Sequence, residues 1–271
     1  MRHDRHSAIG VFDSGVGGLT VLKALMARLP MESTVYLGDT ARVPYGTKSA
    51  AVVTQYSLKN AELLLEHGVK LLVVACNTAS AVAIPALRER LPIPVIGVIE
   101  PGAAAAAAST KTGSVAVIGT PGTIKSGAYQ RALQSLRPGV TVTARACPLF
   151  VPLAEEGWVE GEVPAIVARE YLTSFLTPQV DTLVLGCTHY PLLSSVIAQV
   201  VGPQVTLIDS AHATAERVAQ LLAEKDLLKL GLSAVERHFL VTDVPERFLE
   251  VGARFLGRPL SGARQVDLKF S

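Results

Sequence analysis

The sequence predicts an α/β protein made of two similar open α/β domains, each with a mainly parallel sheet, related by pseudo-twofold symmetry. Short, wholly apolar runs alternate with helical patterns almost from end to end, which is typical of buried parallel strands. In addition, four ordered sequence anchors recur about 110 residues apart, which indicates an internal duplication. The active site is then expected in the cleft between the domains.

The four anchors pair a segment of the first half with a segment of the second. In chain order, residues 9–14 match 115–120, 43–45 match 151–153, 76–78 match 187–189, and 95–100 match 205–209. One such match would carry no weight, but four with a nearly constant spacing are hard to obtain by chance. We therefore place the first domain at residues 1–98 plus 209–271 and the second at 99–208.

In the first half, the apolar run at 9–12 predicts a strand, and the pattern at 19–29 predicts the helix that follows it. The run at 71–75 predicts another buried strand. The alanines at 103–108 are too few to span a bilayer, so we interpret them as a helix that begins after Pro101-Gly102.

In the second half, residues 183–186 repeat the apolar run of 71–75. Beyond Asp209 the pattern predicts a helix over 211–230, a strand over 239–242, and a further helix opened by Pro245. These last residues have no counterpart in the repeat. We expect them to pack back onto the first domain, which makes that domain discontinuous.

The composition favours a globular enzyme in the cytoplasm. Of 271 residues, 49% are hydrophobic and only 18% are charged, with a formal net charge of +2. No basic block indicates nucleic-acid binding, and no apolar core follows the charged start Met1-Arg2-His3-Asp4-Arg5-His6. We expect a small-molecule substrate and neither a nucleic-acid nor a membrane partner. The oligomeric state stays open, with a homodimer as one option.

Two cysteines occupy matching positions. Cys76 and Cys187 each end a buried strand and precede a small polar pair, Asn77-Thr78 or Thr188-His189. Residues just past the carboxyl ends of parallel strands line the ligand crevice. The third cysteine, Cys147, is interpreted as a small buried hydrophobe. None of the three forms a Cys-x-x-Cys pair, so neither a disulfide framework nor a metal site is indicated.

The turn Asp13-Ser14-Gly15-Val16-Gly17-Gly18 joins a strand to a helix. Its glycines let backbone N–H groups approach a ligand, although it matches neither a P-loop nor a dinucleotide fingerprint. The structural alternative is an ordinary tight turn. Asp13 is unusual at an anion site and fits better as a partner for a proton or a substrate ammonium.

Three further residues have both a functional and a structural interpretation. Thr120 is either a site hydroxyl or an ordinary helix cap. His189 can relay a proton beside Cys187 or can be a satisfied structural group. Glu155, in the pair Glu155-Glu156, is an acid of the site or the solvated start of a helix. Because few cations lie near the motifs, a substrate carboxylate would be held by backbone N–H groups and hydroxyls.

Together these motifs resemble the glutamate racemases, over nearly the whole chain. The matching segments are Asp13-Ser14-Gly15, Gly38-Asp39 with Pro44-Tyr45-Gly46, Cys76-Asn77-Thr78-Ala79, Ile118-Gly119-Thr120 with Thr123, Lys125, Ser126 and Tyr129, and Gly186-Cys187-Thr188-His189-Tyr190-Pro191. The resemblance implies an enzyme that interconverts L- and D-glutamate without a cofactor and supplies D-glutamate for peptidoglycan.

The resemblance also implies roles for individual residues. Cys76 and Cys187 would be the two acid/base residues, with Asp13, Asp39, Glu155 and His189 supporting proton transfer. Glutamate would be bound by Asp13, Ser14, Tyr45, Gly46, Asn77, Thr78, Thr188 and His189, and Thr120 is the hydroxyl of the second half that we add to them.

The chemistry sets a geometric expectation. Racemisation requires one base on one face of Cα and one acid on the opposite face. Two thiols each roughly 3–3.5 Å from Cα would lie about 6–7 Å apart and stay reduced. We expect Asp13 near Cys76, and His189 with Glu155 near Cys187.

Three alternatives remain open on the residues alone. The first is a racemase for aspartate or another small amino-acid-like substrate. The second is a cysteine hydrolase, for which Cys187 and His189 are too close in sequence and the second thiol has no use. The third is a two-lobed amino-acid binding protein, which would need neither cysteine. Exchange of the α-proton with solvent deuterium separates all three.

Overall fold

The structure is a computed structural model that describes residues 4–177, 179–231 and 234–269. Its strands are β1 (Ile9–Asp13), β2 (Thr34–Gly38), β3 (Leu71–Val74), β4 (Val95–Gly97), β5 (Ser114–Gly119), β6 (Thr141–Ala146), β7 (Thr182–Gly186), β8 (Thr206–Asp209), β9 (Arg237–Val241) and β10 (Arg264–Gln265).

The α-helices alternate with these strands. They are α1 (Leu19–Arg28), α2 (Ala50–Glu66), α3 (Asn77–Val82), α4 (Ile84–Arg90), α5 (Ile99–Ser109), α6 (Pro121–Ser126), α7 (Ala128–Leu136), α8 (Phe150–Glu155), α9 (Glu162–Leu172), α10 (Ser194–Val201), α11 (Ser210–Glu224) and α12 (Pro245–Leu256). Within the described ranges, no helix is long and apolar enough to cross a membrane.

The strands form two separate, wholly parallel sheets, which confirms the predicted fold class. The first has the order β10-β9-β2-β1-β3-β4 and the second β6-β5-β7-β8. The central strands β1, β3, β5 and β7 are buried along their whole length. Burial on both faces explains why they read as continuous apolar runs rather than alternating ones.

The duplication is visible in the strand order. The order β2-β1-β3-β4 in the first sheet repeats as β6-β5-β7-β8 in the second. Cys76 follows β3 and Cys187 follows β7, which are equivalent strands of the two sheets. Asp13 ends β1, whereas its counterpart Gly119 ends β5. The two thiols therefore leave the carboxyl ends of matched strands, where α/β sheets place ligands.

The carboxyl-terminal segment returns to the first sheet. Strand β9 pairs in parallel with β2, and α11 packs on both α1 and α5. The first sheet thus takes its strands from residues 9–97 and 237–265, and the second from 114–209. The domain limits stay a prediction, and residues 1–3, 178, 232–233 and 270–271 within them lie outside the described residues.

Two predicted helix boundaries are wrong. The helix predicted for 211–230 ends at Glu224, because Asp226 takes a left-handed backbone conformation (φ 54°) and the following residues serve a buried ion pair. The helix predicted to begin after Pro101-Gly102 begins at Ile99. Proline is tolerated there because the first-turn N–H groups have no intrahelical partner.

The buried ion pair between Lys70 and Glu32 joins four segments of the chain. The Lys70 Nζ atom donates to Glu32 Oε2 at 2.6 Å, to the Arg5 carbonyl at 2.7 Å and to the Leu227 carbonyl at 2.8 Å. The other Glu32 oxygen accepts from the Lys229 backbone N–H at 2.8 Å. Since both charged side chains are buried, each depends on the other for its solvation.

Lys70→Met should lower the free energy of unfolding by about 3–5 kcal/mol, because it leaves Glu32 charged and unpaired in the interior. Lys59→Met breaks the half-exposed Lys59–Glu62 pair instead and should cost less than about 1 kcal/mol. Urea titrations of both variants measure the difference. Equal losses in the two variants would show that the buried pair contributes no more than a surface pair.

Candidate active site

Both cysteines line one cavity between the two sheets. The cavity has a volume of about 170 Å³, which admits a small molecule but not a polymer. Its lining comes from both halves of the chain and consists of Ser14, Pro44, Tyr45, Gly46, Thr47, Cys76, Asn77, Thr78, Thr120, Pro121, Pro148, Val151, Pro152, Cys187, Thr188 and His189. Every substrate-binding residue expected from the sequence is in this set except Asp13, which lies behind it.

Cys76 is a buried free thiol at the amino end of α3. Its Sγ atom donates to Ser14 Oγ at 3.8 Å. Burial, and then the negative charge of Asp13, raise its pKa to about 12. At neutral pH Cys76 is therefore a thiol rather than a thiolate.

Asp13 is fully buried at the end of β1, beside Cys76. Burial raises the pKa of its carboxyl, while the nearby His189 charge and the backbone N–H groups of Gly15, Gly18 and Ser14 lower it; the net shift is upward. Oxygen Oδ2 accepts from Gly15 N–H at 2.9 Å, whereas Oδ1 has no partner. The group held by this glycine turn is thus the Asp13 carboxyl itself, not a ligand as the turn alone suggested.

The glycine turn also contacts the Cys187 loop of the other half directly. A Cβ atom on Gly17 would lie 2.5 Å from the His189 ring and would collide with Thr188 Oγ1. Thr20, at the start of α1, donates to the Thr188 carbonyl at 3.2 Å. Glycine at position 17 therefore lets the end of β1 rest directly on the Cys187 loop.

Cys187 has a different set of partners. Its Sγ atom lies 3.8 Å from His189 Nδ1, and His189 Nε2 lies 3.0 Å from Glu155 Oε1. Phe255 of α12 packs its ring edge-on against His189, with centroids 5.0 Å apart. His189 and Glu155 therefore lie on the Cys187 side of the cavity, and Asp13 on the Cys76 side.

The His189–Glu155 contact changes both protonation equilibria. Burial lowers the pKa of His189, but its hydrogen bonds and charge interactions with Cys187 and Glu155 outweigh burial and raise it to about 10. Burial raises the pKa of Glu155, but the hydrogen bond and positive charge of His189 reverse this, and its net pKa is lowered. An imidazolium beside Cys187 with a carboxylate behind it is the favoured state at neutral pH.

An α-helix begins directly after Cys76 but not directly after Cys187. After Cys187 the chain makes a turn and a 3₁₀ helix over Tyr190–Leu193, and α10 begins only at Ser194. The ring of Pro191 disfavours the α conformation of the residue before it. On this side a positive side chain, His189, stands where the other side has a helix terminus.

Asp39 does not reach the cavity. Its carboxylate accepts hydrogen bonds from Tyr45 Oη at 2.5 Å, from Arg42 at 2.7 Å and from Thr242 Oγ1 at 2.9 Å. Asn60 in turn donates to Tyr45 Oη at 3.0 Å. Asp39 thus holds the Tyr45-Gly46 loop in place, and a role in proton transfer remains a prediction.

Three threonine hydroxyls form hydrogen bonds between the two halves of the chain at the cavity. The Oγ1 atoms of Thr78 and Thr120 are 2.8 Å apart, and that of Thr123 lies 3.3 Å and 3.0 Å from them. Thr120 also accepts from the Thr123 N–H, so it caps α6 and lines the cavity at once. Both interpretations of Thr120 therefore hold.

Sequence reasoning missed several residues of the site. Pro44, Val151 and Pro152 line the cavity, and the repeat anchors 43–45 and 151–153 marked them without assigning a role. Thr123 and Tyr129, which contact cavity residues, lie within the resemblance but had no chemical pattern of their own. Cys147 is buried away from the cavity, consistent with a small hydrophobe.

The cavity carries no cationic side chain other than His189: no lysine or arginine occurs among its lining residues. Over the described part of the chain, no group of three or more His, Cys, Asp or Glu side chains is arranged to hold a metal ion. Charge on a bound ligand would thus be met by His189, hydroxyls and amides.

Comparison with known proteins identifies close relatives. The family model for Asp/Glu/Hydantoin racemase matches residues 19–218. A glutamate racemase of Geobacter metallireducens is 57% identical over 97% of both chains. The structure of a Francisella tularensis glutamate racemase in complex with D-glutamate matches 97% of this chain and 98% of its own, with a TM-score of 0.91 and 41% identity. A Thermus thermophilus glutamate racemase in complex with β-chloro-D-alanine matches 98% of both chains, with a TM-score of 0.89 and 47% identity.

The Glu155–His189 pair should make stability depend on pH. Because the pKa of His189 is raised above its unfolded value to about 10, its contribution is complete below about pH 6.5 and is lost as pH rises toward 10. Glu155→Gln removes one cause of that shift, so stability should fall less steeply between pH 7 and 10. Denaturant titrations at several pH values test this, and identical slopes in the variant and the parent would contradict the pairing.

Proposed function

This chain belongs to the Asp/Glu/Hydantoin racemase family, and on that premise we propose that it interconverts L- and D-glutamate by proton transfer at Cα between two cysteines. The observation that carries the proposal is a pair of free thiols, Cys76 and Cys187, that leave equivalent strand ends and line one small cavity. A carbon held between two such groups can lose a proton on one face and gain one on the other.

The polar groups of the cavity suit a small amino acid. The unpaired Asn77 Nδ2 can donate to a carboxylate. Asp13, whose Oδ1 is also unpaired, lies behind the cavity wall, and the resemblance assigns it to substrate binding. The hydroxyls of Ser14, Thr78 and Thr120 add further donors. Glutamate is favoured over aspartate because the close relatives are glutamate racemases, two of them 57% and 52% identical to this chain. Aspartate or another small amino-acid-like substrate is the alternative.

The reaction balances with two protons and two sulfurs. A thiolate removes the α-proton and becomes a thiol, while the opposite thiol donates its proton to the carbanion and becomes a thiolate. Each turnover therefore leaves the pair in the state that serves the reverse direction. The resemblance assigns Cys76 to D-glutamate and Cys187 to L-glutamate.

The neighbours of each thiol provide its spare proton. Asp13, whose pKa is raised, can hold a proton beside Cys76. His189, charged at neutral pH, holds one beside Cys187, and Glu155 stabilises that charge. A positive group beside a sulfur favours the thiolate, the form that acts as a base. The two sulfurs therefore have different proton partners, a carboxyl with a raised pKa beside Cys76 and an imidazolium beside Cys187.

In the cell, the product would be D-glutamate for peptidoglycan synthesis, made in the cytoplasm without a cofactor. This follows from the family resemblance. A homodimer is one option for the oligomeric state.

Racemisation in D₂O tests the proposal. Purified protein with no added cofactor should bring either enantiomer of glutamate to an equal mixture and replace the α-hydrogen with deuterium. Neither EDTA nor hydroxylamine should slow it, and aspartate should react far more slowly. A hydrolase or a binding protein would leave the α-hydrogen in place. Loss of activity with EDTA that a divalent metal restores would argue against a reaction carried by thiols alone.

Cys76→Ser and Cys187→Ser should each abolish racemisation, because both faces of Cα need a proton carrier. Each variant should still eliminate chloride from one enantiomer of β-chloroglutamate, since that half-reaction needs one base. Cys147→Ser is the control and should racemise at the parental rate, because Cys147 lies outside the cavity. Substantial racemisation by either single-cysteine variant would overturn the two-base mechanism.

A further inference from the structure

A buried chain of three polar side chains leads from the cavity wall into the contact between the two halves. Its members are Asn77 at the start of α3, Tyr129 on α7 and Ser210 at the start of α11. They are 3%, 1% and 3% exposed, so no bulk water competes for their hydrogen bonds. Only Asn77 faces the cavity.

The chain has a direction. Tyr129 Oη donates to Asn77 Oδ1 at 2.7 Å. Burial raises the pKa of Tyr129, and the nearby Ser210 side chain opposes that shift without cancelling it. Tyr129 is therefore a protonated phenol, and its single proton is donated to Asn77.

The direction of the Tyr129 hydrogen bond determines which atom of the Asn77 amide has no hydrogen-bond partner. Its oxygen is occupied by Tyr129, and its nitrogen Nδ2 is buried without any hydrogen-bond partner. A buried donor left unpaired destabilises the folded protein, because it has lost its hydrogen bond to water without gaining another. A residue of the cavity wall with such a group is built to receive an acceptor from a ligand.

The packing leaves room for this chain. A Cβ atom on Gly102 of α5 would lie 2.9 Å from Ser210 Cβ and 3.3 Å from Tyr129 Oη. The sequence Pro101-Gly102, which first suggested a helix start, thus provides space for two buried hydroxyls in the middle of a helical interface.

We propose that Tyr129 is a positioning residue, which holds the Asn77 amide with Nδ2 toward the cavity, where it donates to a carboxylate oxygen of the substrate. An asparagine amide has nearly the same shape after a half-turn, so packing alone does not choose its orientation. In the reversed chain, Asn77 Nδ2 would donate to Tyr129 and its carbonyl oxygen would face the ligand. An anion favours the first arrangement and disfavours the second.

The arrangement fits a cavity that has no lysine or arginine on its walls. The one cationic side chain of the lining, His189, lies beside Cys187, so a carboxylate at the Asn77 side would be held by oriented neutral dipoles. This inference rests on the proposed function, because the carboxylate is that of the amino acid being racemised.

Tyr129→Phe keeps the ring and removes the proton that orients Asn77. We expect KM for both glutamate enantiomers to rise roughly tenfold, the size of one neutral hydrogen bond, with kcat changed less than about threefold. Because the enantiomers have equal free energy, kcat/KM must fall equally in both directions, which checks the data internally.

Two substitutions at Asn77 distinguish a hydrogen bond from Nδ2 to the substrate from a purely structural link between α3 and α7. Asn77→Asp still accepts from Tyr129 but offers no donor and adds a negative charge, whereas Asn77→Ala removes both functions. If Nδ2 binds a carboxylate, KM should be higher in Asn77→Asp than in Asn77→Ala. The opposite order would mean that Asn77 only ties α3 to α7, and it would overturn the proposal. This comparison decides the matter even if Tyr129→Phe does not fold.

A double-mutant cycle tests whether Tyr129 acts through Asn77. In the Asn77→Ala background, Tyr129→Phe should change kcat/KM less than about twofold. The control is Tyr190→Phe, which removes an equally buried hydroxyl that donates to the Cys147 carbonyl at 2.8 Å, and its effect should add to that of Asn77→Ala. Additive effects of Tyr129→Phe would overturn the proposal. Failure of the unmodified protein to racemise glutamate would instead refute the proposed function.

Discussion

The site depends on one close contact, the seating of the Gly17 turn against the Cys187 loop. The two sheets share no strand, so nothing in their hydrogen bonding sets the distance between their edges. Where a side chain on position 17 would overlap Thr188 and His189, the missing Cβ lets the backbone of one half meet the loop of the other. Cys187 lies in the loop that makes this contact, and Cys76 follows β3, which pairs with β1, the strand that leads into the Gly17 turn. Both thiols consequently face one small cavity.

Burial is both the advantage and the cost of this arrangement. A dry cavity strengthens every charge interaction inside it, but it also raises the pKa of Cys76 and Asp13. Without compensation, the site would contain only neutral acids and no base. His189 supplies that compensation, because two acidic neighbours more than offset the effect of burial on its own pKa. His189, the single cationic side chain of the cavity wall, thus keeps its positive charge because of its partners Cys187 and Glu155.

The sequence predicted those parts of the molecule that are encoded locally. Strands, their fully apolar character and the position of each cysteine just past a strand follow from short patterns, and the repeat predicted two equivalent sheets. What the sequence did not predict are pairings between distant residues. The end of α11 is set by Lys70 and Glu32, far away in the chain, and the Tyr129–Asn77 bond joins the two halves. No periodicity records such contacts, because each partner looks ordinary in its own segment.

The duplication explains the symmetry of the sulfurs but not the asymmetry of their surroundings. Asp13 beside Cys76 has Gly119 as its counterpart in the repeat, and Cys187 has His189 where Cys76 has Thr78. The two thiols therefore have different neighbours, a carboxyl on one side and an imidazole on the other. Under the proposed mechanism, a transfer across one carbon needs one thiol and one thiolate at the same moment. The divergence of the two halves at these positions would then give each sulfur its own proton partner, which the duplication alone would not provide.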